Sequence, residues 1–154
     1  MDKLPLKKQT NVGLVSACLL GLRCRYDGTH KRSDEVIRLI KSGFTLLPVC
    51  PEQLGGLPTP RPKNRIVGGD GKAVLDGKAK VIDEEGTDNT DCFIKGAEET
   101  LRIAVLNKVK VAYLKQGSPS CGCSRLGSKR NGTVGYGVTA ALLMRNKIAL
   151  IGVE

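Results

Sequence analysis

The 154-residue sequence contains no tryptophan, a single histidine, two phenylalanines and three tyrosines. Platforms for single-stranded nucleic acid are built from exposed rings on which bases stack, and so few aromatics argue against one. With His30 as the lone imidazole, a Cys2His2 or other His-rich metal site is excluded. A cysteine–histidine hydrolase would have to use His30 itself, which sits in a charged stretch. No apolar run approaches the roughly 18 residues of a spanning helix, so no membrane partner is expected. The opening MDKLPLKKQT has neither an apolar core nor a small-residue cleavage site, and it predicts a cytoplasmic chain without a secretory signal. There is no G-x-x-x-x-G-K-[ST] phosphate loop and no C-x-x-C zinc knuckle.

Positive charge and cysteine are abundant. Lys and Arg number 25 against 15 Asp and Glu, a formal charge of +10. Such a surface attracts anions, RNA among them, and also favours solubility. The length suits a single domain, predicted over 1–154, that buries about two-thirds of its unfolded surface without disulfide staples. Six cysteines are nevertheless present: Cys18, Cys24, Cys50, Cys92, Cys121 and Cys123. In a reducing compartment they point to metal binding or thiol chemistry.

Residues 1–11 read as a polar tail. NVGLVSAC (11–18), FTLLPVC (44–50), VKVAYLKQ (109–116) and KIALIGV (147–153) are short apolar runs expected as strands. Between them lie three helical patterns. Ser33 is placed to cap the first, DEVIRLIKS, whose stripe is Val36, Leu39 and Ile40. The second starts at Thr90 or Asp91 and runs to about Asn107, with Phe93, Ala97, Leu101, Ala104 and Val105 expected inside. VTAALLMRN (138–146) is the third. Five of the seven prolines fall between 48 and 62, which predicts a stiff loop without regular structure. Residues 65–83 carry Asp70-Gly71 and Asp76-Gly77 between β-branched runs and predict a small hairpin insertion. The segment 117–137 holds six glycines and no apolar period, and is expected as a loop. Strands alternating with helices, each strand almost continuously apolar, predict an α/β fold: a compact Rossmann-like parallel sheet with flanking helices.

Three cysteines fall at the ends of three predicted strands. Cys18 ends the first, Cys50 the second, and Cys121 lies just beyond the third. Ligand sites of open parallel sheets form outside the carboxyl ends of the strands, so these three can share one crevice. A structural zinc site normally closes with four ligands. Thiolates also hold iron–sulfur clusters, and three protein ligands would leave one iron open. Free cysteine is in addition a small hydrophobe, the expectation for Cys92 inside a helix. For Cys24 and Cys123 a thiol behind the ligands, a spare ligand and plain packing stand equally open. Cys50-Pro51-Glu52 sets a carboxylate beside the crevice, where a partly dry pocket would raise its pKa and suit it to acid–base work. Ser118 and Ser120 bring two hydroxyls on the Gly-Ser-Pro-Ser loop, of which Ser118 can orient a substrate or close a local turn.

Taken together, VSACLLGLRCRYDG, PVCPEQLGGLPTPR, VGGDGKAVLDGKAKV, FIKGAEETLRIA and KQGSPSCG, in this order, resemble the bacterial thiouracil desulfurase family over roughly residues 12–152. The resemblance implies a compact α/β fold and an oxygen-sensitive [4Fe–4S] cluster on Cys18, Cys50 and Cys121. It also implies Glu52 as catalytic carboxylate and Ser118 as catalytic serine. The implied activity removes sulfur from a thiocarbonyl pyrimidine such as 2-thiouracil, the sulfur being captured by the open iron. A desulfurase for 4-thiouridine in nucleosides or transfer RNA, and a non-enzymatic metal-binding module, are the rival readings.

Overall fold

The computed structural model describes residues 11–154, so the predicted tail lies outside the described residues apart from Asn11. Strand β1 (Val12–Ser16) leads into a single 3-10 turn, Ala17–Leu20, which stops at Gly21 in the left-handed region. The first strand is therefore shorter than its apolar run, and Cys18 sits in the turn beyond it. Helix α1 (Asp34–Lys41) starts where expected, with the Ser33 side chain accepting from the Val36 amide. Of its stripe only Val36 is fully buried, and Ile40 is largely exposed.

Strand β2 (Thr45–Val49) is followed directly by a short helix, α2 (Pro51–Leu54). The stiff loop expected here thus contains one regular turn. Proline is tolerated at a first helical position because that N–H has no intrahelical partner anyway. Strands β3 (Asn64–Val67) and β4 (Lys80–Asp83) pair antiparallel and form the expected insertion. Their connection is not a tight Asp-Gly turn but helix α3 (Gly71–Leu75). Asp70 caps it: Oδ1 accepts from the amides of Lys72 and Ala73, and Oδ2 accepts from the Tyr136 amide. Asp70→Ala removes a helix cap and a tie to a distant loop. We expect a loss of about 1–2 kcal/mol in a urea melt; an unchanged midpoint would show that the cap is idle.

Helix α4 (Thr90–Leu106) buries Phe93, Gly96, Ala97, Thr100 and Ala104, the spacing of one helical face. Val105 was expected inside, but it lies one residue round from Ala104 and is 65% exposed. Strand β5 (Val111–Lys115) precedes the glycine-rich segment, in which β6 (Arg125–Leu126) and β7 (Thr133–Val134) make a minimal antiparallel pair. Helix α5 (Val138–Arg145) and strand β8 (Ala149–Val153) complete the chain.

The central sheet is parallel throughout, in the order β2-β1-β5-β8. Its two faces are read from adjacent residues, as the period of two requires. Leu14, Ala112 and Leu114 pack with Ala104, Ala140 and Leu143 beneath α4 and α5. Val15 and Tyr113 face the other way, toward Val36 of α1 and Leu19 of the 3-10 turn. The insertion packs Val74 and Val81 against Phe93, Ala97 and Val138. The observed α/β architecture, with its parallel sheet and small antiparallel additions, is the class the strand–helix alternation predicts.

Sheet order decides where a site can form. The chain moves outward from β1 to β2, then crosses back to place β5 on the other side of β1. The carboxyl ends of β1 and β5 therefore flank a topological switch point, where the connections diverge and leave a crevice.

Candidate functional site

A cavity of about 360 Å³ opens at that switch point, and its wall includes Cys18, Cys24, Cys50, Cys121, Glu52, Ser118 and Ser120. Each side chain is delivered by a local feature. Cys18 comes from the 3-10 turn after β1, whose Cys18 carbonyl also accepts from the Lys31 amide, folding the 21–31 loop back and returning Cys24 to the wall. Cys50 occupies the N-cap position of α2, and its thiol donates to the Cys24 carbonyl at 3.7 Å. Cys121 follows the Ser-Pro-Ser turn, its amide donating to Ser118 Oγ at 3.1 Å.

Glu52 is placed by an unusually close helix contact. A Cβ on Gly55 would stand 2.0 Å from the Cys92 carbonyl oxygen, and one on Gly96 would stand 1.9 Å from the Pro51 oxygen. Only two glycines let α2 rest on the backbone of α4, and this contact fixes the turn that carries Glu52. The carboxylate lies beside the crevice, as the Cys50-Pro51-Glu52 run predicts, and both of its oxygens have partners. Its Oε1 accepts from Arg61 Nε at 3.0 Å, in an ion pair whose side chains are 3% and 12% exposed for Arg61 and Glu52. Its Oε2 accepts from Ser120 Oγ at 3.2 Å.

Arg61 is the residue that sequence reasoning missed. Besides Glu52, its guanidinium donates to the Cys24 carbonyl at 3.0 Å, the Pro58 carbonyl and Thr59 Oγ1. It joins the cysteine loop, the carboxylate and the proline-rich loop. The available signal was a lone arginine in a proline-dense segment nine residues after Glu52. Ser16 was missed as well: its hydroxyl accepts from the Lys115 amide, and it counteracts the upward pKa shift of Cys121.

Burial and contact between sulfurs favour the neutral form of Cys24, Cys50 and Cys121, and the Arg61 charge only partly offsets this at Cys24 and Cys50. Contact with Cys18 pushes Cys24 up to about 11, opposed by Cys50. Cys50 lies far above the usual thiol range, through its contact with Cys24 and through burial. Burial raises Cys121 to about 12 against the pull of Ser16 and Ser120. Cys123 is also pushed up to about 12 by burial, but it is not in the cavity wall; its thiol donates to the Cys121 carbonyl inside the α4–α5 core, which is packing. Cys92 is half-buried on α4.

The donor set suits a soft metal group. Four sulfurs and no imidazole face the cavity, and His30 is exposed elsewhere, its Nδ1 accepting from the Arg32 amide. The four thiols line one cavity, and among the described residues no three His, Cys, Asp or Glu side chains are set to hold one metal ion. A group of several atoms fits this arrangement. The rim is basic, with Arg25, Lys31, Lys63, Lys115 and Arg125. Arg25 pairs with Asp27 and Arg125 with Glu154, whereas Lys31, Lys63 and Lys115 make no ion pair among the described residues. Burial lowers the Lys115 pKa, offset in part by Glu154.

Comparisons with known proteins bear on the family and the fold. The profile of the family described as 2-thiouracil desulfurase matches residues 14–154. The Bacillus subtilis (strain 168) protein YbbK, uncharacterized, is 43% identical over 136 residues, spanning 84% of this chain and 87% of that one. The solved structure of the [4Fe-4S]-dependent thiouracil desulfidase TudS superposes with a TM-score of 0.78 at 38% identity, over 93% of this chain and 91% of its own. The chain therefore belongs to the 2-thiouracil desulfurase family.

Proposed function

We propose that the protein is a [4Fe–4S]-dependent desulfurase acting on a thiocarbonyl pyrimidine such as 2-thiouracil, with Cys18, Cys50 and Cys121 as cluster ligands and Glu52 and Ser118 as catalytic residues. The observation that carries this reading is the meeting of three strand-end cysteines and a buried carboxylate on one cavity. When bound, the cluster supplies one iron without a protein ligand, a Lewis acid toward thiocarbonyl sulfur and the place where the released sulfur is kept.

The rest of the work falls to side chains. Ser118 and Glu52 position the ring and a water. Glu52 takes a proton from the water as its oxygen adds to the thiocarbonyl carbon, and returns a proton to a ring nitrogen or the departing sulfur. The balance is thiopyrimidine plus water giving oxo-pyrimidine plus sulfide and protons, with no net redox change. Buried thiols and such a cluster suit a reducing cytoplasm. Among the described residues no helix is long and apolar enough to cross a membrane.

The basic rim favours a second reading, in which the thiolated base arrives on a nucleotide or transfer RNA. Lys31, Lys63 and Lys115 would then meet phosphates, and binding of thiolated RNA would fall steeply with salt. Salt-insensitive, weak RNA binding would leave the free base or nucleoside.

The deciding experiment is iron and sulfide analysis of protein reconstituted without oxygen. We expect about four of each per chain, as a [4Fe–4S] cluster requires, lost in Cys18→Ala, Cys50→Ala and Cys121→Ala. The loaded wild type should convert 2-thiouracil to uracil. A colourless wild type, or a cluster surviving all three changes, would end the proposal.

A further inference from the structure

Ser120 lies between the two residues assigned to catalysis and has no role in the mechanism above. It is 2% exposed. Its backbone is clamped from outside: the Ser120 carbonyl accepts from the amides of Thr139 and Ala140 at the start of α5. A Cβ on Gly137 would stand 2.4 Å from the Ser120 carbonyl carbon, so the helix start presses directly on this peptide. The side chain is consequently delivered to one place, within reach of Glu52 Oε2 at 3.2 Å, Ser118 Oγ at 3.0 Å and Cys121 Sγ at 3.7 Å.

A hydroxyl has one proton to give. Three acceptors compete for that of Ser120, and charge ranks them above distance. The Ser118 oxygen is the nearest at 3.0 Å, but the Glu52 carboxylate, in its ion pair with Arg61, is charged, only accepts, and lies closer than the sulfur, so it takes the proton. Ser120 then has nothing to donate to Ser118. The contact between the hydroxyls can form only if Ser118 is the donor. Ser118 is prepared for this, since its oxygen already accepts from the amides of Ser120 and Cys121 at 3.2 and 3.1 Å. Its lone pairs are engaged and its proton is the remaining capacity. The O–H bonds therefore run in one direction, Ser118 to Ser120 to Glu52, and the line ends on Arg61 through Oε1.

We propose that Ser120 is a positioning residue that couples Ser118 to Glu52, holding Oε2 in place and turning the Ser118 hydroxyl toward it. Glu52 and Ser118 have no direct hydrogen bond, so this coupling exists only through Ser120. The inference rests on the roles assigned to Glu52 and Ser118 under the proposed function. A serine at 120 that merely filled space would be replaceable by alanine at little cost to turnover.

The test is steady-state kinetics with 2-thiouracil on cluster-loaded protein, for Ser118→Ala, Ser120→Ala, the double variant, Ser120→Thr and Glu52→Gln. Ser120→Ala should lower kcat about ten- to a hundredfold, below the full range for a general acid–base group, with KM within about threefold. Ser120→Thr keeps the hydroxyl and should recover most of the loss. The double variant should be no slower than Ser118→Ala alone, because residues acting as one unit are not additive; losses that multiply would overturn the coupling. Ser120→Ala at wild-type kcat, with Glu52→Gln inactive, would also overturn it and leave the role of Glu52 standing. Full activity in both would bring down the role of Glu52 first. Should Ser120→Ala fail to hold its cluster, Ser120→Thr decides: an intact cluster with kcat as low as that of Ser118→Ala would overturn the proposal, and near-normal kcat would support it.

Discussion

Glu52→Gln is expected to keep its iron and sulfide and to lose about 10²–10⁴ in kcat, the range a positioned general acid–base group supplies. The substitution preserves shape. The side-chain oxygen of glutamine can still accept from Arg61 Nε, so α2 stays against α4 and the cysteines stay in place. What disappears is a group able to take a proton. The amide also presents two hydrogens where Oε2 accepted from Ser120. Ser120 must then accept instead of donate, and the direction of the hydroxyl line is lost with the base. Arg61 keeps a neutral partner in place of a charged one, costing about 1–3 kcal/mol of stability. Kinetics therefore belong well below the melting transition, beside iron analysis of the same sample. A cluster-loaded Glu52→Gln enzyme with near wild-type kcat would remove Glu52 from the chemistry altogether.

How far the sequence could be read depended on the distance between interacting residues. The four parallel strands were legible because each is an almost continuous apolar run, as in a buried parallel sheet, although the edge strand β8 leaves Ile151 44% exposed. The same runs set Cys18, Cys50 and Cys121 at strand ends, and the fold brings all three to one cavity. Strand order was not legible, since nothing local says that β5 returns beside β1. Short helices escaped for a related reason. The five residues of α3 span little more than one turn, too few to show a period, and Asp70-Gly71 serves a helix cap as readily as a hairpin turn. The proline density around α2 hid a helix that uses Pro51 at the one position where proline is harmless. Val105 shows the limit of an apolar list: a valine one step off the buried face of α4 remains in water. Arg61 was the largest omission because two of its partners, Cys24 and Glu52, lie in other segments of the chain.

Arg61 is also where the largest stability effect is expected. Its side chain is almost completely enclosed, and four acceptors converge on it: Glu52 Oε1, the Cys24 and Pro58 carbonyls and Thr59 Oγ1. Arg61→Ala would strand a buried carboxylate without its countercharge, and removing one partner of a buried pair costs about 3–5 kcal/mol. For a chain of this length that corresponds to a melting temperature lower by roughly 10 °C. Arg61→Lys should fall between wild type and alanine. It restores the charge, but a single ammonium cannot reach four acceptors spread around a planar fork. The double variant Glu52→Ala, Arg61→Ala separates the pair from the scaffold: it should be less unstable than the sum of the single variants, because the stranded charge is gone. Whatever loss remains in it belongs to the Cys24, Pro58 and Thr59 bonds, and so measures how firmly Arg61 ties the cysteine loop to the proline-rich loop. An Arg61→Ala protein melting within about 2 °C of wild type, a change of roughly 1 kcal/mol or less, would show that the cavity wall is held by other contacts.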